Sequence, residues 1–360
     1  MAHTDERVLP GKSLGPAGLI AVFVAITLLG AWEYYWRDFG ALVPYYRNSE
    51  GLWALERRRI DNGEGHRTVL TGSSRTLWDI QLDVWEQVSG ERPIQLSLEG
   101  TSPLRVMEGL ASDPDFTGTL LVGVAPDMFF TGFEYRETVI DRYDEESPSQ
   151  WMGQQISMLI EPHLAFYDYY FALMTVLKRQ PLPKRMDIPF ILGVPMFADV
   201  HQLGYNGRDR NMRMWSKVET DPEYANLLKA GWADGFEPID ARSEEWLEGF
   251  RQGRVAQIER AVAATAALQA RGVEVIFVRH PVAEFYAMEE PMYHPRNETW
   301  DVLIERTGAL GIHWQDHEEL QGYWLPESSH LSGAEADRYT KAFFGVLQRE
   351  RGKHNAMQRE

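Results

Sequence analysis

The chain has 360 residues, 44% of them hydrophobic, which is enough to fill the core of one large domain or two small ones. Its 36 Lys and Arg against 53 Asp and Glu give a net charge of −17. The acidic residues are scattered along the chain, which argues against nucleic acid as a partner. The sequence contains no cysteine, so disulfides, thiolate metal sites and a cysteine nucleophile are excluded.

An uncharged stretch lies near the N-terminus, between Lys12 and Glu33. As a helix this stretch would span roughly 30 Å, the thickness of the hydrocarbon core of a bilayer. Arg7 and Lys12 precede it, which favours a cytoplasmic N-terminus. We therefore predict a cytoplasmic segment at 1–12, a single transmembrane anchor at 13–36 in the inner, or cytoplasmic, membrane, and an extracytoplasmic, periplasmic remainder. A cleaved signal peptide is the alternative.

Short apolar strands alternate with helical periods from Thr68 onward, which predicts a parallel sheet covered by helices. The first unit pairs a strand at Val69 and Leu70 with one helix that runs until Gly90. Two further strands are predicted, at 94–98 and at 120–124. The expected fold class is α/β, with a three-layer α/β/α parallel sheet.

The alternation lapses at 131–243, a stretch too long for a loop and too aromatic to be disordered. It resumes with an alanine-rich helix at 255–269 and a buried strand at 273–278, and Ser332 to Glu335 reads as a capping box that opens the last helix. We predict one α/β domain made of 66–130 and 244–350, with a large, mostly helical insertion at 131–243.

Ser74 follows the first strand in the turn Gly72-Ser73-Ser74 and precedes a helix. A serine at this position has its hydroxyl at the carboxyl edge of the sheet, beside backbone N–H groups that have no partner within the helix. Such donors can stabilise the oxyanion that forms when the serine attacks a carbonyl carbon. Ser74 is therefore the candidate nucleophile, although a small residue at such a turn can also serve geometry alone.

Glu327 and His330 lie on the loop before the last predicted helix. A carboxylate three residues ahead of a histidine can bond one ring nitrogen and leave the other to accept a proton. His330 is thus the candidate general base and Glu327 the residue that orients it, with Asp316 as a substitute orienter. Asp316, His317 and His313 do not share a helical face, so the sequence predicts no metal site and no cofactor.

The content and order of these short blocks resemble the SGNH, or GDSL-type, hydrolase superfamily, whose members carry four such blocks after successive strands and before the last helix. The resemblance covers roughly 66–130 and 255–347. It implies that Ser74 is the nucleophile, that His330 and Glu327 complete the catalytic set, and that the backbones of Ser74 and Gly100 contribute to the oxyanion hole. The third block departs from the family pattern, because Ala125 stands where the family has an asparagine donor. Ser102 is a candidate replacement.

The membrane-anchored relatives of this superfamily, which are of the polysaccharide O-acetyltransferase-like or D-alanyl transfer protein-like kind, act on acyl groups of envelope polymers. The resemblance implies an acyl (acetyl) transferase or esterase that acts on an envelope or exported polysaccharide. Arg75 and Arg279 follow strand ends and are candidates for binding an anionic sugar. The expected partners are a glycan or acyl donor, the membrane, and an integral membrane acyl-transfer protein. A catalytically inactive scaffold or glycan-binding subunit of an envelope assembly complex is the alternative.

Overall fold

The computed structural model describes residues 15–40, 45–167, 190–191, 194–195, 203–234 and 239–357. Helices α1 to α8 are Gly15–Gly40, Glu50–Arg59, Ser74–Asp79, Leu82–Ser89, Leu104–Ser112, Pro126–Phe129, Thr138–Glu145 and Pro148–Ile160. Helices α9 to α14 are Ser216–Thr220, Pro222–Asp234, Glu244–Ala270, Glu284–Tyr293, Trp300–Thr307 and Gly333–Met357. Strands β1 to β9 are Val69–Thr71, Ile94–Gln95, Thr119–Gly123, Phe190–Ile191, Val194–Pro195, Gly204–Asn206, Met212–Met214, Glu274–Arg279 and Leu310–His313.

Five of the strands form a parallel sheet in the order β2-β1-β3-β8-β9, with Val69 of β1 in register with Ile94 on one side and Leu120 on the other. The predicted parallel sheet is confirmed, and β9 is an additional strand. The chain builds β2 on one side of β1 and β3 on the other. In open sheets of this kind, ligands bind outside the carboxyl ends of the strands at the point where the order reverses. Here that point lies between Gly72 and Gly123, which directly follow β1 and end β3.

Helices cover both faces of the sheet, because side chains along a strand alternate between its two faces. Val69, Val122 and Phe277 belong to one buried cluster with side chains of α5, α11 and α13. Their neighbours Leu70, Leu121 and Ile276 belong to a second cluster with α4 and α14. The two clusters give the fold a hydrophobic core on each side of the sheet.

The first predicted helix is wrong in one respect, since the chain forms two short helices there, α3 and α4. The break falls at Ile80, whose backbone is extended at φ −102° and ψ 113°. After the break, the backbone N–H of Gln81 donates to Thr340 Oγ1 of α14 at 2.9 Å instead of continuing the helical ladder. The apolar side chains on the two sides of the break belong to different buried clusters, Leu77 to one and Leu82 and Trp85 to another, and the sequence pattern alone does not reveal this change.

Helix α1 is long and apolar enough to cross a membrane over Gly15–Asp38, and its apolar window is not buried by the rest of the chain. The span predicted at 13–36 agrees with it, except that residues 13–14 and the predicted cytoplasmic segment lie outside the described residues. At the end of α1, the Glu33 carboxylate accepts the backbone N–H groups of Ala165 at 2.9 Å and Phe166 at 2.8 Å. These bonds fasten the end of α1 to the rest of the protein.

The described part of 131–243 packs directly on α3. A third buried cluster joins Leu77 and Trp78 of α3 to Met212, Met214 and Trp215. The described residues of this stretch form helices α7 to α10 together with two antiparallel strand pairs, β4–β5 and β6–β7. The insertion boundaries stay a prediction, but this stretch contributes walls to the edge of the sheet where Ser74 lies.

Gly123 and Gly109 give a test of how tightly β1 and β3 pack at this edge. A Cβ on Gly123 would overlap Thr76 Oγ1, whereas a Cβ on Gly109 of α5 would meet no atom within 4 Å. Gly123→Ala should therefore destabilise the fold by about 1–3 kcal/mol through overpacking. Gly109→Ala should stabilise it by about 0.5–1 kcal/mol, because alanine favours a helix interior. Equal thermal melting temperatures for the two variants would contradict this packing.

Candidate active site

Ser74 is the first residue of α3 and directly follows the N-cap residue, Ser73. Its side chain is partly exposed, whereas Gly72, Ser73 and Arg75 around it are buried. The Ser74 hydroxyl thus lies at the carboxyl edge of β1, where the first N–H groups of α3 have no partner within the helix. This placement matches the position that the sequence predicts for a nucleophile.

The loop that carries His330 runs along α3. Arg75 Nε donates to Ser329 Oγ at 3.3 Å, and the Leu331 backbone N–H donates to Asp79 Oδ1 at 3.0 Å. Between these two contacts, the rings of His330 and Trp78 lie 5.0 Å apart. Because residues four apart share a helix face, Ser74 lies one turn before Trp78 on the side that faces His330. The fold therefore brings the candidate nucleophile and the candidate base to the same face of α3.

The ring of His330 is held by Glu327. Glu327 Oε1 accepts the backbone N–H of His330 at 2.7 Å and is hydrogen-bonded to His330 Nδ1 at 2.8 Å. Both side chains are almost completely buried. Nε2, the other ring nitrogen, is buried, and among the described residues it has no hydrogen-bond partner, Ser74 included. His330 therefore has one nitrogen fixed by a carboxylate and the other available to accept a proton.

Asp316, the other candidate orienter, lies elsewhere. Its two carboxylate oxygens accept from Arg296, each at 2.7 Å, on the protein surface. Of the two carboxylates considered, Glu327 alone contacts His330. Among the residues that the structure describes, no group of three or more His, Asp or Glu side chains is placed to hold a metal ion.

Two residues next to this loop have strained backbones. Ser328 has φ +76° and Glu284 has φ +48°, in the left-handed region that non-glycine residues seldom adopt. The two are joined, because Ser328 Oγ donates to Glu284 Oε2 at 2.6 Å and the Ser328 carbonyl accepts the Ala283 N–H at 3.0 Å. Each such backbone costs about 1–3 kcal/mol and occurs most often at functional sites. These two hydrogen bonds hold the strained turn that carries Glu327 and His330.

Arg75 and Arg279 are both buried and share one carboxylate. Arg75 Nη2 lies 2.6 Å from Glu290 Oε1, and Arg279 pairs with Glu290 Oε2. Burial lowers the pKa of Arg279 to about 10, so its guanidinium remains protonated at neutral pH. The Asp127 carboxylate also acts on both arginines, so the two guanidinium groups lie among two carboxylates. Helix α12 covers the arginines with Glu290 and Tyr286, so they are buried rather than exposed at the surface.

A cavity of about 280 Å³ opens beside this cluster. Arg279, Tyr286, Glu290, His294 and Trp314 are among the residues that line it, whereas Ser74, Glu327 and His330 are not. Its volume is close to the lower limit of small-molecule sites, roughly 300 Å³. The cavity thus joins the arginine cluster to the carboxyl ends of β3, β8 and β9.

The predicted oxyanion-hole residues lie on the loops after β1, β2 and β3. Gly100 follows β2 with φ +59°, a conformation that suits glycine. Ser102 caps α5 instead, because its Oγ accepts the Leu104 N–H at 3.5 Å while its own N–H donates to the Phe133 carbonyl at 2.7 Å. Ala125 is the N-cap residue of α6, and its methyl group offers no donor. The backbone donors of Ser74 and Gly100 remain the candidates.

Trp232 is a site residue that sequence reasoning missed. Its indole Nε1–H donates to Glu327 Oε2 at 2.6 Å, so a residue of α10 satisfies the second oxygen of the carboxylate. No motif or spacing connects Trp232 with Glu327 in the sequence, and only the fold brings them together.

A buried polar chain beneath α3 was also missed. His280 Nε2 is hydrogen-bonded to Thr76 Oγ1 at 3.1 Å and His280 Nδ1 to Tyr339 Oη at 3.1 Å. Burial lowers the pKa of His280 to about 3, so this imidazole is neutral. Both ring nitrogens of His280 are thus hydrogen-bonded below α3, as expected of a structural histidine.

No known protein-family model, curated protein or solved structure matches this chain. The candidate site is therefore defined by the contacts and distances of its own residues. Of the predicted site residues, Ser74, Glu327 and His330 lie around α3, and Arg75 and Arg279 lie in the adjacent ion-pair cluster.

The buried carboxyl group of Asp79 gives a pH test of the α3 environment. Burial raises the pKa of Asp79 well above its usual value, so the folded protein keeps a proton that the unfolded chain releases near pH 4. Above that pH, wild-type stability should fall by about 1.4 kcal/mol per pH unit until the folded pKa is reached. Asp79→Asn cannot ionise, so its stability relative to wild type should rise from pH 4 to pH 7.

The control for this measurement is Asp316→Asn. Hydrogen bonds from Arg296 lower the pKa of Asp316, so its contribution to stability is present at neutral pH and is lost as the pH falls. Asp316→Asn should therefore lose stability relative to wild type as the pH rises, which is the opposite sign. Thermal melting in detergent at several pH values measures both, and a flat profile for Asp79→Asn would mean that Asp79 is not a buried neutral acid.

Proposed function

We propose that this protein is a serine-dependent acyltransferase or esterase of the SGNH type. It is held by α1 in the cytoplasmic membrane, and it acts from the extracytoplasmic side on acyl groups of an envelope polysaccharide. The observation that carries the proposal is the buried Glu327–His330 pair, whose unpartnered Nε2 lies beside the helix that begins at Ser74. A histidine fixed in this way is a base with its orienting carboxylate.

The reaction proceeds through an acyl-enzyme. Ser74 Oγ attacks the carbonyl carbon of the acyl donor while His330 Nε2 takes the hydroxyl proton, and Glu327 stabilises the resulting imidazolium through Nδ1–H. The negative oxygen of the tetrahedral intermediate accepts backbone N–H groups at Ser74 and Gly100. The bond to the leaving alcohol then breaks, and His330 returns the proton to that oxygen. Water or a sugar hydroxyl, deprotonated by His330, next attacks the acyl-Ser74 ester and releases the serine.

Two features set the expected rate. Ser74 Oγ must come within about 2.6–3.2 Å of Nε2, a contact that often tightens only when substrate binds. Ala125 supplies no third donor to the oxyanion, and loss of one such donor costs on the order of 10²–10³-fold in turnover. Slow chemistry is therefore expected. The same alanine favours the second candidate function, an inactive scaffold or glycan-binding subunit.

The cavity beside Arg279 supports an anionic or strongly polar sugar unit as the bound group. Its walls combine aromatic rings, which cover the apolar faces of a sugar ring, with charged side chains that can bond hydroxyl groups. Arg279 and Arg296 both line the cavity, and the planar guanidinium group suits the binding of a carboxylate, so a sugar unit that carries a carboxylate is a candidate.

A fluorophosphonate probe tests the nucleophile directly, because Ser74 Oγ needs to attack its phosphorus only once and no turnover is required. Wild-type protein should be labelled at Ser74, and Ser74→Ala should remove the label. His330→Ala should slow labelling by roughly 10²-fold or more, since the general base is lost. Glu327→Gln should slow it less, because the base remains. Mass spectrometry of the labelled peptide identifies the modified residue.

Asp316→Asn is the matched control, because it removes the carboxylate of the other candidate orienter, which pairs with Arg296 and does not contact His330. Labelling should be unchanged. A membrane-impermeant probe should label Ser74 in spheroplasts, which tests the side of the membrane. If folded wild-type protein takes no label and Ser74→Ala keeps the cellular role of the protein, the enzyme proposal fails and the scaffold remains.

A further inference from the structure

Helix α8 presents four apolar side chains to the outside and buries Gln154 and Met158 against the protein. Met152, Ile156 and Leu159, spaced four and three residues apart, are 51%, 52% and 74% exposed, and Trp151 beside them is 41% exposed. On the opposite side Gln154 is buried, where its Oε1 accepts from Ser49 Oγ at 2.9 Å. A helix on the surface of a soluble domain has the reverse arrangement. We name the four exposed apolar residues of this helix the α8 face: Trp151, Met152, Ile156 and Leu159.

The α8 face is next to the end of the candidate membrane span. The residues that follow α8 are bound to α1, because Glu33 accepts the N–H groups of Ala165 and Phe166 and Arg37 Nη2 donates to the His163 carbonyl at 2.5 Å. The rings of Phe166 and Trp32 lie 6.5 Å apart. Tyr167, which follows Phe166, is 46% exposed. Tryptophan and tyrosine are the residues enriched where a protein meets the boundary between water and lipid.

We propose that the α8 face lies in the outer lipid–water interface of the same membrane that α1 spans. Two contacts with the bilayer, one spanning and one parallel to its surface, then fix how the catalytic domain stands on the membrane. This inference rests on the proposed anchoring by α1 but not on the proposed chemistry. A domain held in this way keeps the Ser74 edge at a constant height above the lipid.

Lipid is the occupant that the structure favours, because three hydrogen bonds join the residues that directly follow α8 to the candidate membrane span α1. The contact is apolar. A chain with a net charge of −17 gains nothing from anionic headgroups, so the contact should also form on neutral lipid and persist at high salt. A glycan surface would instead need polar groups among the rings.

The absence of cysteine from the chain allows a site-specific test on the full-length protein. Ile156→Cys and Leu159→Cys, labelled with an environment-sensitive nitrobenzoxadiazole dye, are reconstituted in phosphatidylcholine vesicles that contain spin-labelled lipid. Both dyes should be quenched several-fold more than a dye on Glu305→Cys, an exposed position on α13 beside the opposite edge of the sheet. Quenching should place the dyes about 5–10 Å below the headgroups. It should not change between about 0.1 M and about 1 M salt.

Equal quenching at positions 156, 159 and 305 would overturn the proposal. Dyes that are exposed in vesicles but shielded in native membranes would also overturn it, because an integral membrane protein would then be the occupant. Fluorophosphonate labelling of Ser74 in the same samples separates the two proposals. A loss of labelling with quenching intact sinks only the enzyme, and intact labelling without quenching sinks only the membrane contact.

Discussion

The site depends on how the carboxylate of Glu327 is buried. An ionised carboxylate away from water is costly unless hydrogen bonds replace its hydration. Glu327 receives a backbone N–H and a ring contact from His330 within its own loop, and an indole N–H from Trp232 of α10. The loop at 327–330 and helix α10 must therefore fold together before His330 has a fixed orientation. The strained backbones of Ser328 and Glu284 are tolerated because these contacts, together with the buried loop, hold them in place.

The burial of Glu327 also makes the stretch at 131–243 part of the site, because Trp232 belongs to this stretch. Its cluster with Leu77 and Trp78 covers α3, and Trp78 in turn lies against the ring of His330. The end of α1 enters this cluster through Trp36. Helix α1, the described part of 131–243 and the loop that carries His330 are thus in contact with α3 or with one another, so a change in the position of α1 is transmitted to α3 through direct contacts.

The sequence was sufficient where the signal is local. Alternating apolar strands predicted β1, β3 and β8, and the spacing of Glu327 and His330 predicted a contact that Nδ1 and Oε1 make. It was insufficient where tertiary contacts decide. The break at Ile80 depends on Thr340, which lies far along the chain on α14. The burial of Arg279 depends on Glu290, which lies on a helix with no distinctive motif. Trp232 could not be assigned to the site from the sequence, because nothing there indicates which residue donates a hydrogen bond to Glu327 Oε2.

A structure of the protein after reaction with a fluorophosphonate would show directly whether Ser74 is the nucleophile and His330 the base. We expect a covalent bond from phosphorus to Ser74 Oγ. A phosphoryl oxygen should accept the backbone N–H groups of Ser74 and Gly100. His330 Nε2 should lie within about 2.6–3.2 Å of an oxygen on phosphorus. A bond to another residue, or an adduct at Ser74 with His330 Nε2 still buried and out of reach, would contradict the assignment of these two residues as nucleophile and base.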